Sequence, residues 1–398
     1  MNGIYQKYLA VLRAFVGNGV PEAVSGEEWP KLWELARINN TMGILCSVYM
    51  HHPQLIPDEI RPSLRKLCFS EIGLYTQRAE RMRNLAGEFS KNGIDCLYFK
   101  GFVVRNYYPV PELRTFGDVD FVIRKEDRQK SDQLMKQLGY EPKDTWEPAY
   151  SYRKGVEYYE IHTDVMEVDV SDQADYMGYF QSVWEHTRPA EVVNLPHAWE
   201  FTPEFHFLYL LTHIAKHISG SGAGVRMYLD IAFFVKHFGN GVNWQWIAKE
   251  LERLRLDTFA NMTLTAVKQW FGVESPLKLK AVEETVMADF LDFTMAGGVY
   301  GYVGREKGLV FLKQQNRNQE EVSKTKTLLY HAFPPVSSMK NRYSYLQKHP
   351  WLLPVAWGHR LIGSWKDWGR FARNTKDILD ADEESVAKLK RIYKELGL

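Results

Sequence analysis

The sequence predicts an α+β protein: a small mixed β-sheet core flanked by N-terminal and C-terminal helical regions. Three observations carry this. Apolar residues recur at helical spacing through the first ninety or so positions and again beyond about 203. Between those regions lie short β-branched and aromatic runs, bounded by glycine and charge. Two helix-like segments separate those runs, so strands and helices alternate within some eighty residues. At 398 residues the chain is long enough for roughly two to three domains. The expected division is a helical region at 1–90, the sheet core at 91–200, a helical domain packing on that core at 201–300, and a helical extension at 301–398.

Each element follows in order. Tyr5, Leu9, Leu12 and Val16 share one helical face, and "GNGVPE" (17–22) breaks that helix with glycine and proline. In "SGEEWPKLWELARINN", Ser25 is placed to cap a second helix with an acidic first turn. "LRKLCFSEIGLYTQRAERMRNLAGEFSKNG" reads as one long helix ending near Asn92-Gly93. "IDCLYFK" (94–100) is a short strand, "FVVRNYY" is helix-like, and "GDVDFVIRKED" (117–127) is a second strand. "DRQKSDQLMKQLGY" carries Leu134 and Leu138 at i and i+4, with Gly139 as a C-terminal stop. "AYSYRKGVEYYEIHTDVMEVDV" reads as a hairpin turning near Lys154-Gly155. Beyond 203, "PEFHFLYLLTHIAKHISG" and "GVRMYLDIAFFVKHFG" are apolar-faced helices joined by a Gly/Ser segment read as a flexible connector. "VNWQWIAKELERLRL" and "FANMTLTAVKQWFG" continue the helical pattern, and "EESVAKLKRIYKELGL" closes it. The stretch "HPWLLPVAWGHR" (349–360) is read as packing between helices, with membrane-surface contact as the second reading.

Composition narrows the function. The chain is 45% hydrophobic and 25% charged, as soluble globular proteins are. Fifty basic residues balance forty-nine acidic ones, so long nucleic acid is not an expected partner. Cys46, Cys68 and Cys96 form no CxxC pair, which argues against a disulfide framework and a zinc ribbon. Lys7 and Arg13 interrupt the apolar residues of the first segment, unlike a signal peptide. No apolar run approaches the ~20 residues of a membrane helix. The expectation is a cytoplasmic protein without a membrane span.

The chemistry centres on "GDVDFVIRKED". On a strand, residues i and i+2 point the same way, so Asp118 and Asp120 share one face while Val119, Phe121 and Ile123 share the other. Two carboxylates so placed repel unless a cation intervenes. A hard divalent cation, Mg²⁺ or in its place Mn²⁺, answers that repulsion and leaves room for substrate phosphates. The alternative is an edge strand whose aspartates meet water or basic neighbours. Upstream, Lys100 and Gly101 stand at a strand-to-helix turn, where backbone N–H groups can approach an anion. Downstream, "YYEIHTDV" places Glu160, His162 and Asp164 on one face, adding an acid able to join a metal site or take a proton.

This combination resembles the nucleotidyltransferase (DNA polymerase beta-like) superfamily. The pattern is an apolar residue and glycine at a turn, then apolar-Asp-apolar-Asp-apolar, then an acid on a later strand. Here it falls on Phe99-Lys100-Gly101, on Asp118 and Asp120 around Val119, and on Glu160 between Tyr159 and Ile161. The wording is more similar still to a bacterial family of uncharacterised nucleotidyltransferases. Its "KG", "YP", "R…DhD" and "E-apolar-H" correspond to Lys100-Gly101, Tyr108-Pro109, Arg114 with Asp118 and Asp120, and Glu160-Ile161-His162. The resemblance runs from about 30 to 360 and includes "LLTHIAKHISGSGAGVRMYLDIAFF" and "HPWLLPVAWGHR". Phe102 stands where the superfamily has a serine, and the gap from Gly101 to Asp118 is longer than usual.

The resemblance implies Mg²⁺-dependent transfer of a nucleoside monophosphate from an NTP, ATP among them, to a hydroxyl-bearing acceptor, with pyrophosphate released. Asp118, Asp120 and Glu160 would be the catalytic and metal-binding acids. Lys100, Gly101, Arg114 and His162 would contact the nucleotide, Lys100 as point charge and Arg114 as fork. His213 and His217, one turn apart, either pack a helix or line the nucleotide cleft with Arg226 and Asp230. Near-neutral charge favours a small molecule or protein over RNA as acceptor. The alternative function is a degenerate member that serves as a nucleotide- or partner-binding module.

Overall fold

The computed structural model describes residues 3–117, 119–146, 148–166, 170–171, 173–220, 222–298, 324–339, 343, 345–363, 368–380 and 383–398. Four helices precede the sheet: α1 (Gly3–Val16), α2 (Trp29–Ile38), α3 (Met42–His51) and α4 (Arg61–Lys91). Ser25 and Glu28 form reciprocal backbone–side-chain hydrogen bonds of 3.0 and 3.3 Å, a capping box that leads into α2 at Trp29. α4 runs 31 residues and stops where Gly93 takes φ +61°.

The sheet follows: β1 (Cys96–Tyr98), β2 (Val119–Ile123), β3 (Glu141–Trp146), β4 (Ala149–Lys154), β5 (Glu157–His162), β6 (Thr187–Pro189) and β7 (Ala198–Phe201). These seven strands lie in the order β3-β4-β5-β2-β1-β7-β6. β2 pairs antiparallel with β1 and parallel with β5, and β1 pairs parallel with β7, so the sheet is mixed. It is wider than the sequence suggests, because β3, β6 and β7 join it. β3 contains Pro142 and sits at the sheet edge, beside an irregularity in its pairing with β4, the places where a strand tolerates proline.

The two faces of the sheet enter different cores. Cys96, Tyr98, Val119, Phe121, Ile123, Tyr159 and Ile161 pack with Met82, Leu85 and Phe89 of α4 and with Leu134 and Met135 of α6 (Arg128–Gln137). Leu97 and Val122, on the opposite face, join a larger helical core. That core unites α1–α3 with α8 (Pro203–Gly220), α9 (Val225–Phe238), α11 (Asp257–Phe271) and α12 (Glu284–Gly297). α5 (Lys100–Val104), α7 (Tyr176–Tyr179) and α10 (Trp244–Arg253) complete the labelled helices. The last helix, Glu383–Leu396, returns to this core through Leu389, Ile392, Tyr393 and Leu396.

The link between α8 and α9 differs from the flexible connector expected of its glycines. Ala223 is buried, and the Val225 amide donates to Asn39 Oδ1 at 2.9 Å. A methyl at Gly224 would stand 2.6 Å from the Gly298 carbonyl carbon, so here glycine permits close backbone approach. In the 349–360 stretch Trp351 is 74% exposed, while Ala356 is buried beside Met339 and Leu346. No helix among the described residues is long and apolar enough to cross a membrane.

Candidate functional site

β2 and β5 run side by side in parallel, with Asp120 opposite Glu160 and Val122 opposite His162. All four therefore project from one face. Because Val122 belongs to the helical core, that face is turned toward the helices. Asp118 lies outside the described residues. Lys100 reaches the same place from the β1–α5 turn. Phe99 is extended (φ −159°), and Lys100 then takes φ +52°, a left-handed conformation uncommon for a lysine. Gly101 is not the residue in that conformation. Its lack of a side chain serves packing instead, because the Arg114 guanidinium lies against its α carbon.

Two cations or donors converge on one oxygen. Lys100 Nζ donates to Asp120 Oδ1 at 3.1 Å, and His162 Nε2 donates to the same atom at 3.0 Å. Burial pushes the Asp120 carboxyl up, but the Lys100 ammonium and the His162 contact outweigh it and hold the group well below the usual carboxylate range. Asp120 is therefore ionised at neutral pH. Glu160 Oε2 lies 3.8 Å from His162 Nε2, and Tyr158 donates its hydroxyl to Glu160 Oε1 at 3.2 Å. Ligand-capable atoms of Asp120, Glu160 and His162 all lie within 4.8 Å of one another. Two carboxylates at that spacing suit a hard divalent cation, while the imidazole is a better ligand for softer metals. The donor set thus fits Mg²⁺ or Mn²⁺ through its oxygens, with His162 orienting Asp120.

Around this centre runs a chain of rings. Phe99 lies 6.4 Å from His162 and 5.2 Å from Tyr209 on α8. Tyr209 stacks on His213 at 5.8 Å, and His213 meets His217 edge-on at 4.5 Å. Burial, His217 and Lys100 keep His213 far below its ordinary range. Burial and the ammonium groups of Lys100 and Lys216 bring His217 down to about 4, against the pull of Asp120. Both imidazoles are neutral at pH 7, so they present acceptors and flat faces but no charge.

Arg114, Asp230 and Arg226 stand together, slightly removed. The Arg114 fork meets both Asp230 oxygens, and Arg226 Nη1 donates to the Thr115 carbonyl at 2.6 Å. Asp164 pairs with Lys125 at 2.9 Å, away from the Asp120–Glu160 pair. Sequence reading did not single out Tyr158 or Tyr209. Tyr158 was within reach of that reading, since it alternates onto the Glu160 face two residues earlier. Tyr209 had no such local signal.

A family model described as "Uncharacterised nucleotidyltransferase" matches residues 25–272, more than half of the chain. The match stops short of the 349–360 stretch. No curated protein matches the chain. One solved structure, the antibiotic-resistance factor ANT(2'')-Ia, is similar over 46% of this chain and 90% of its own, at 13% identity and a TM-score of 0.31.

Proposed function

The chain belongs to the uncharacterised nucleotidyltransferase family, and from that premise we propose that it transfers a nucleoside monophosphate from an NTP to a hydroxyl-bearing acceptor, with Mg²⁺ or Mn²⁺ as the required ion. The observation that carries this reading is the register of β2 on β5, which sets Asp120 beside Glu160, together with Lys100 on Asp120. Asp120 and Glu160, with Asp118, would hold the ion. When bound, the ion would neutralise phosphate charge.

The residues of this chain do the rest. Lys100 offers its ammonium to the triphosphate as a point charge. Glu160 takes the proton of the acceptor hydroxyl as its oxygen attacks the α-phosphorus. A new P–O bond forms to the acceptor, and the α–β bridging P–O bond breaks to release pyrophosphate. His162 fixes the Asp120 carboxylate, and Tyr158 fixes Glu160. His213 and His217, neutral and partly stacked, line the cleft for the base or the acceptor. Little covalent work falls to the protein, so positioning and charge dominate the rate. A small molecule or a protein side chain is the acceptor best matched to near-neutral charge. We place the reaction in the cytoplasm, where NTPs are abundant and three unpaired cysteines stay reduced.

The test incubates the protein with each labelled NTP, Mg²⁺ or Mn²⁺, and fractionated cell extract. Pyrophosphate release with label on an extract component is the expected result. Tight metal-dependent NTP binding with no transfer across a broad acceptor screen would replace this reading with a nucleotide-binding module.

A further inference from the structure

Arg114 is buried, and its planar fork is taken by Asp230 on α9, Nε to Oδ1 at 3.1 Å and Nη2 to Oδ2 at 2.6 Å. Tyr108 donates its hydroxyl to Asp230 Oδ1 at 2.6 Å. Arg114 Nη1 donates to the Thr115 carbonyl at 3.1 Å, the same oxygen that accepts from Arg226. One residue on, the Phe116 carbonyl accepts from Arg78 Nη1 at 2.6 Å. Arg114 also lies against Gly101: a methyl there would stand 2.9 Å from Cζ, closer than real side chains approach. One buried side chain thus touches helix α9, the segment entering β2, and the turn that carries Lys100. That turn bends Lys100 into a left-handed conformation, which persists only where its surroundings impose it.

We infer that Arg114 and Asp230 are a positioning clamp and do not bind the nucleotide. They hold the Lys100–Gly101 turn and the start of β2 so that the Lys100 ammonium and the Asp120 carboxylate meet. The inference rests on the nucleotidyltransferase reading of that site and moves Arg114 from phosphate contact, and Asp230 from the cleft lining, to support. A phosphate on the Arg114 fork would have to break a bidentate bond and leave a buried Asp230 carboxylate without its charge partner. The clamp also explains why a glycine follows Lys100. The guanidinium occupies the space of a β-carbon, and the longer chain between Gly101 and Asp118 is what carries Tyr108 and Arg114 to α9.

Two measurements judge this. The first needs no nucleotide: melting temperatures of Gly101→Ala, Arg114→Ala and the double variant. The added methyl is expected to lower Tm strongly beside Arg114 and little once Arg114 is alanine. Equal losses in both backgrounds overturn the contact. The second compares NTP dissociation constants with single-turnover transfer rates for Asp230→Asn and Arg114→Lys. It includes the triple variant Tyr108→Phe/Arg114→Met/Asp230→Leu, which removes the buried polar group as a unit and preserves folding where single changes fail. The clamp predicts a rate loss of about 10²-fold, the effect of a misplaced group, with NTP affinity nearly unchanged. Weakened NTP binding in both Arg114 variants, with Asp230→Asn binding and reacting like wild type, identifies a phosphate ligand and overturns the clamp. Wild-type protein that binds no NTP would overturn the proposed function instead, and the melting cycle would still decide the contact.

Discussion

Two ion pairs, one buried and one only partly buried, flank the Lys100–Gly101 turn, and they are built differently. Arg114–Asp230 is bidentate, with side chains 8% and 6% exposed, and a tyrosine hydroxyl completes it. Lys100–Asp120 uses one ammonium on one oxygen, with the lysine 21% exposed and a histidine sharing the same acceptor. The first pair saturates its geometry and spans two elements 116 residues apart. The second sets a point charge on a carboxylate oxygen that a histidine also holds. A planar fork fixes two directions at once, whereas an ammonium acts as a point charge without a fixed bearing.

Four variants put that contrast to the test. Asp120→Asn should cost the most. It removes the charge that Lys100 and His162 face, and transfer should fall by about 10³-fold or more, the scale of losing a preorganised electrostatic group. NTP affinity measured with Mg²⁺ should fall as well. Glu160→Gln keeps shape and loses the base, so single-turnover transfer should drop about 10²–10⁴-fold while NTP affinity is largely kept. Wild-type rates in that variant would remove Glu160 from the mechanism. Asp230→Ala leaves Arg114 buried without its counter-charge, and urea unfolding should show a loss of about 3–5 kcal/mol. A loss near zero would mean the pair is not the structural one. Tyr158→Phe should have the smallest effect. Deleting one hydrogen bond to Glu160 is worth about 1 kcal/mol, read as a several-fold slower transfer with unchanged melting temperature.

Much of this was legible in the chain because it is local. The alternation around Asp120 and in "YYEIH" sets the faces of β2 and β5, and Gly93, Gly139 and Gly155 all take positive φ where elements end or turn. Parallel pairing of these strands then brings Asp120 to Glu160 with no further information. What sequence could not give is tertiary in origin. β6 and β7 are three and four residues long, and β7 becomes a strand by lying along β1 a hundred residues earlier. The Arg114 fork sits on Asp230, a carboxylate on a distant helix that nothing near Arg114 in the chain reveals. The left-handed residue at the turn is Lys100, although glycine is the default for such a backbone and a glycine stands next to it.

α4 belongs to both hydrophobic cores. Leu64 and Cys68 of its first half enter the helical core, and Tyr75, Met82, Leu85 and Phe89 enter the core under the sheet. A continuous helix of 31 residues is a rod of about 46 Å at 1.5 Å per residue. Neither core can be lost without stripping half of that rod, so the two are mechanically and thermodynamically tied. Calorimetry should record one cooperative heat-absorption peak for both cores. A glycine pair placed between the halves, at Gly73-Leu74, should split that peak into two.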